Sequence, residues 1–278
     1  MNLLIVIPAF NSGHTLPTLI KQIQVFKHDI LLIDDGSTDN TETICQFSSI
    51  KVIKHQSNQG LSSAMQSAFT YAEKESFTHI LALDSDLQHD PHFIPDFIRS
   101  AKDSDLVIAN RFAKLESIPS CKIASNLFAS CLVEEMFDKF IPDISCGYRM
   151  YKVSSFVQHD FGANYEFIFS ALFRALTNDY KINFCNVSAI YNSDILLSTR
   201  RTELLSILNA TIKIKQNDII AELLTRVENS LDFFISLSGI GFYGYYLQRN
   251  ESYIIQCDLV AAIQKHRANE NSSLSSSI

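Results

Sequence analysis

The sequence predicts an α/β fold: a mostly parallel sheet flanked by helices, with a helical C-terminal appendage. Short apolar runs bounded by polar turn residues alternate with segments of helical periodicity through the first half of the chain, the pattern of successive βαβ units. Polar residues follow four of those runs directly, where open α/β sheets bind their ligands. The chain's 278 residues, 46% of them hydrophobic, suffice for one large domain or two small ones.

The strands expected in order are Leu3–Ile7, Ile30–Ile33, Lys51–Lys54, His79–Leu83 and Asp105–Ala109. Leu61, Ala64, Met65, Ala68, Phe69 and Ala72 recur on one helical face, and Phe93, Ile94, Phe97, Ile98 and Ala101 on another. Beyond Lys114 the alternation weakens. Cys121–Phe140 and Tyr165–Leu176 read as helices, Gly147–Val153 and Lys181–Ile190 as strands. Leu204, Leu208, Ile212, Ile219, Leu223 and Val227 lie mostly at four-residue steps, which predicts helix. The division expected is a catalytic domain over 1–192, a helical region over 193–267 and a disordered Ser/Asn-rich tail over 268–278.

Composition excludes several classes. With 23 basic and 30 acidic residues the net charge is −7, which disfavours a nucleic-acid partner. The six cysteines form no CxxC pair and read as buried free thiols, consistent with a cytoplasmic compartment. Leu3–Ile7 lacks a basic flank and meets Pro8, so it is a strand and not a signal peptide. Phe233–Leu247 carries no charge but is shorter than the roughly 20 residues a membrane span needs. It reads as an interfacial, dimer-contact or core helix.

Asp84 and Asp86 are the main chemical signal. If the strand before them stays extended, both carboxylates leave one face, and their repulsion is relieved by a divalent cation. Gln88 would add a neutral oxygen. The alternative is that the acids cap a helix starting near Pro91. Asp34 and Asp35 open a Gly/Ser/Thr/Asp turn suited either to a nucleotide base or ribose, or to capping by Ser37 or Asp39. Gly60 precedes a helix whose N-terminus suits a phosphate, or is only a turn. No G-x-G-x-x-G or P-loop pattern is present.

Six segments fall in a familiar order: Ile7–Asn11, Ile33–Thr41, Asn58–Ala64, Leu83–Pro91, Ala109–Phe112 and Asp143–Arg149. Together they resemble the family 2 glycosyltransferases, most of all the polyprenol-phosphate branch typified by dolichol-phosphate mannose synthase. The resemblance covers about the first two-thirds of the chain. It implies the GT-A variant of a Rossmann-like fold, a nucleotide-sugar donor (UDP- or GDP-sugar), Mg²⁺ or Mn²⁺, and inversion at the sugar. The donor-binding residues it implies are Pro8, Asn11, Asp34, Asp35, Ser37, Gly60, Asp84 and Ser85. Asp84, Asp86 and Gln88 would surround the metal. Asp86, Arg111, Asp143 and Arg149 would carry the reaction, Arg111 near the phosphates and Asp143 beside the acceptor, with Glu166 as an alternative base.

Two departures bear on substrates. Ser12 stands where the family often has an acid, and Tyr191–Arg201 lacks the branch's Arg-x-x-Gly-x-Ser-Lys, though Arg200 and Arg201 lie nearby. The acceptor expected is a polyprenyl phosphate, with a saccharide of cell-envelope assembly, or a non-catalytic nucleotide-sugar-binding role, as alternatives. Phe233–Leu247 is the candidate peripheral contact with the inner membrane face, and the oligomeric state, a homo-oligomer included, stays open.

Overall fold

The computed structural model describes residues 1–47, 50–114, 137–162 and 166–191, together with 118, 126, 129, 130, 133 and 134. Its strands are β1 (Leu3–Ala9), β2 (Asp29–Asp34), β3 (Lys51–Lys54), β4 (His79–Ala82), β5 (Leu106–Asn110), β6 (Arg149–Lys152) and β7 (Ile182–Asn186). The helices are α1 (Leu16–Gln24), α2 (Thr41–Phe47), α3 (Leu61–Lys74), α4 (Ile94–Ser100), α5 (Val153–Phe156) and α6 (Glu166–Thr177). A 3₁₀ turn, Pro91–Phe93, leads into α4. The last two strands are shorter than their apolar runs. β7 stops at Asn186, opposite Asn110, where β5 ends. In the expected Cys121–Phe140 helix, the described residues Asn126, Ala129, Ser130, Val133, Glu134 and Phe137 are helical. In α1, Leu16, Leu19, Ile20 and Ile23 carry helical spacing and are all buried.

One sheet runs in the order β3-β2-β1-β4-β6-β5-β7. All neighbouring pairs are parallel except those of β6, which is antiparallel to β4 and β5. The carboxyl ends of the other six strands therefore share one edge. β6 starts at that edge, with Arg149 paired to Ala82 and Ile108.

The period of two along β1 sorts the core into layers. Leu4 and Val6 pack with Ala64, Met65, Ala68 and Phe69 of α3, while Leu3, Ile5 and Ile7 pack with α1 and with Ile94 and Phe97 of α4. Because helices cover both faces, β1 reads as a continuous apolar run. Phe69 anchors the first layer, stacked on Phe161 at 5.3 Å and edge-on to Tyr151 at 5.7 Å. Each such fully buried side chain contributes about 1.5–3 kcal/mol.

Among the described residues no helix is long and apolar enough to cross a membrane. Cys146 and Cys185 are buried free thiols, as the composition suggests. The 193–267 and 268–278 segments, with Phe233–Leu247, Arg200 and Arg201, lie outside the described residues.

Candidate active site

Four strand ends and the start of β6 supply the site. The extended geometry expected through Asp86 does not hold, because β4 ends at Ala82 and the chain turns through Ser85 and Asp86. Leu87 takes a positive φ of 65° just after the two acids, where the chain leaves this turn. A turn, not a strand face, pairs them. Capping falls to Asp90 instead, whose carboxylate accepts from His92 N–H at 2.9 Å.

The electrostatics of the acid turn follow from crowding. Burial raises the Asp84 carboxyl to about 6, against the downward pull of Arg111. Asp86 is raised by burial and then by the charge of Asp84. Gln88 holds Asp86 in place: its backbone N–H and its side-chain amide each donate to the carboxylate, both at 2.9 Å. Gln88 thus orients Asp86 through its amide nitrogen. Ser85 Oγ lies 2.7 Å from Ser12 Oγ, a hydroxyl pair joining the turn to the end of β1.

β6 delivers the other wall. Because Arg149 pairs with Ala82, the residues just before it descend beside the acid turn. Gly147 sits so close that a Cβ there would lie 3.2 Å from both Asp84 carboxylate oxygens. Arg111, just past β5, grips Asp143 with two parallel bonds, Nε to Oδ2 at 2.7 Å and Nη2 to Oδ1 at 2.8 Å. Asp143 is fully buried, and it also accepts Arg111 N–H at 3.1 Å. Burial works against the guanidinium charge, but Asp143 outweighs it and holds Arg111 protonated far above its ordinary range. Arg149 lies elsewhere. Its guanidinium is fully buried and donates to the carbonyls of Cys146 (2.8 Å), Ile168 (2.6 Å) and Ile144. The catalytic task expected of Arg149 is replaced by a structural one: it ties the Ile144–Cys146 segment to α6.

The expected donor-binding residues gather at the ends of β1 and β2, largely engaged with one another. Asn11 N–H donates to Ser37 Oγ, and Asn11 Oδ1 accepts from Thr38 N–H, both at 2.9 Å. Asp34 Oδ1 accepts from Ser37 N–H at 2.9 Å, while its buried Oδ2 has no hydrogen-bond partner among the described residues. Asp35 accepts from Gln59 N–H (3.0 Å) and Gly60 N–H (2.7 Å), and His55 Nδ1 lies 2.7 Å from it. The Gly60 N–H that a phosphate would use is therefore directed at Asp35. Pro8 pairs with Ile33 within the sheet. Of the two capping candidates, Asp39 accepts from Thr41 N–H at 2.9 Å.

Known proteins match this arrangement. Residues 4–159 match the model of Glycosyl transferase family 2. The chain belongs to that family. It is similar to an uncharacterised Methanocaldococcus jannaschii protein, 28% identical over 58% of this chain and 76% of that one. It is similar also to an undecaprenyl-phosphate mannosyltransferase of Micrococcus luteus, 25% identical over 56% of this chain and 68% of the relative. A dolichol-phosphate mannosyltransferase of Pyrococcus furiosus is 35% identical over 41% of this chain and 34% of its own. Among solved structures, glucosyl-3-phosphoglycerate synthase from Mycobacterium tuberculosis, in complex with Mn²⁺, UDP and phosphoglyceric acid, matches with a TM-score of 0.63. Identity there is 16%, over 76% of this chain and 78% of that one. The fold is GT-A, and this family 2 member is a glycosyltransferase that resembles the polyprenol-phosphate branch.

The family 2 site holds residues with no role in the sequence reading. His89 and Gly147 stand inside segments already singled out, so their position was legible and their task was not. His55, whose Nε2 lies 2.9 Å from Ser67 Oγ, carries no local signal at all. The side chain of Glu166 lies outside the described residues.

Proposed function

We propose that this glycosyltransferase moves a sugar from a nucleotide-sugar donor, a UDP- or GDP-sugar, to a polyprenyl phosphate, with a divalent cation at Asp84 and Asp86. The observation that carries the acceptor is the state of Asp143. A sugar hydroxyl needs a carboxylate free to take its proton, whereas a phosphate is already an anion. Asp143 is fully buried with both oxygens held by Arg111, so it is not a free base. The relatives named as undecaprenyl-phosphate and dolichol-phosphate mannosyltransferases support the same acceptor class.

The acid turn fits a hard cation. Asp84 and Asp86 repel each other, and among the described residues no third His, Cys, Asp or Glu joins them in a set that could hold a metal ion. Two carboxylates suit Mg²⁺ or Mn²⁺, whose remaining ligands come from water and diphosphate. When bound, the cation neutralises charge that builds on the leaving nucleoside diphosphate. The chain's own residues do the rest. Gln88 fixes the Asp86 carboxylate, and Asp143 fixes the Arg111 fork, so Arg111 presents a preorganised positive charge beside the acid turn. Such a charge accelerates transfer because it meets the leaving group more strongly in the transition state than before it.

The test is transfer of labelled sugar from UDP- and GDP-sugars, with Mn²⁺, to a polyprenyl phosphate and to a saccharide acceptor. Transfer to the phosphate is expected; transfer to the saccharide alone would overturn the acceptor assignment.

A further inference from the structure

We infer that His89 is the positioning residue for Asp84, holding it by its backbone and facing its carboxylate with one neutral imidazole. The inference rests on the cation reading above. Asp84 N–H donates to His89 Nδ1 at 2.9 Å. A backbone amide always carries its proton, so Nδ1 is an acceptor and the hydrogen of the neutral ring sits on Nε2. That Nε2 lies 3.6 Å from Asp84 Oδ2 and 3.9 Å from Cys146 Sγ. The ring is 6% exposed and lies flat against Tyr148, with centroids 5.0 Å apart and 15° between planes. Tyr148 packs in turn on Phe97 of α4 at 4.4 Å, and its hydroxyl donates to the Asp90 carbonyl at 3.3 Å.

The imidazole is thus held by the Asp84 amide at Nδ1 and by the Tyr148 ring on one face. It joins the acid turn to the segment preceding β6, which carries Gly147 against the same carboxylate. Outer partners of this kind set the orientation of a metal-binding carboxylate, and their loss typically weakens metal affinity by about 10–100-fold.

Three substitutions separate the two contacts. His89→Leu removes both. His89→Asn puts an amide oxygen near the Nδ1 position and keeps the acceptor for Asp84 N–H; His89→Gln puts an amide nitrogen near the Nε2 position and keeps only the donor. The measurement is calorimetric titration of Mn²⁺ into the full chain with saturating UDP or GDP, whichever binds. Melting temperature and metal-free nucleotide affinity are recorded alongside.

We expect His89→Leu to lose about 10–100-fold in Mn²⁺ affinity. His89→Asn should fall between Leu and the parent, and metal-free nucleotide binding should not change. If His89→Leu does not fold, weaker Mn²⁺ binding by Gln than by Asn carries the inference. Equal Mn²⁺ affinity in the parent and all folded variants overturns it while leaving the cation site standing. Failure of the parent itself to bind Mn²⁺ overturns the cation reading, and this inference with it.

Discussion

Asp84 and Asp105 lie at opposite edges of one sheet and are treated in opposite ways. Asp105, just before β5, accepts from Ser155 Oγ at 2.9 Å, Lys181 N–H at 3.1 Å and Lys152 Nζ at 3.3 Å. Burial would raise its carboxyl, but those bonds outweigh burial and hold it below the ordinary range. Asp84 is raised to about 6 by burial, with the charge of Arg111 acting against it. At the amino edge a carboxylate is satisfied and knots β5, β6 and β7 together. At the carboxyl edge one carries no comparable set of bonds among the described residues, and its side chain is 46% exposed. The first arrangement stabilises a fold, while the second leaves a carboxylate open to a ligand.

Removing each acid in turn is the sharpest way to break this contrast. Asp84→Ala and Asp86→Ala should each lower the rate of sugar transfer on the order of 10²–10³-fold without lowering the melting temperature. A loss of stability equal to the loss of rate would erase the distinction between the two edges. Asp105→Ala should do the reverse, costing about 1–3 kcal/mol in denaturant unfolding because Ser155 and the Lys181 amide lose their acceptor. Its steady-state transfer kinetics should match the parent's.

The pH dependence separates the edges further. A raised carboxyl destabilises as pH climbs from about 4 to 6, since the folded state then loses a proton it holds more tightly than the unfolded chain. His89, lowered to about 4 by burial and then by Arg111, contributes with the opposite sign over nearly the same range. The parent's melting temperature should therefore be nearly flat there. Asp84→Asn removes one side of the balance, so its melting temperature should rise with pH; a flat profile in the variant would contradict the assignment. Asp105 contributes above the ordinary carboxylate range and loses that contribution only as pH falls below it. Smallest of all, Lys152→Met should change stability by less than about 1 kcal/mol, because the lysine is half-exposed. A larger loss in a thermal melt would mean that the knot depends on this ion pair.

Much of the fold was legible because its signal is periodic. β1 to β5 and α3 announce themselves by spacing, and the convergence of their ends follows from parallel pairing alone. β6 was legible as a strand but not as a reversed one, since direction is set by long-range pairing with Ala82 and Ile108 and not by any local pattern. The site shows the same division. Asp84, Asp86 and Arg111 are marked by residue type and position. That Asp143 spends both oxygens on Arg111, and that Arg149 serves backbone carbonyls, depends on which loops meet in space. His89 falls between the two: its backbone partner is five residues away, but its stacking partner Tyr148 lies 59 positions further on.

The reversal of β6 has a consequence for how this enzyme can diversify. β5 leaves the sheet at the ligand edge and β6 re-enters at that same edge, so the connection between Asn110 and Arg149 both departs and returns beside the acid turn. Its two anchor points are fixed by hydrogen-bonded strands on either side. Val133, Ile141 and Ile144 of that connection are buried in the core and Asp143 holds Arg111, so only an exchange that keeps these residues would change what borders the acid turn while the sheet beneath stays as it is.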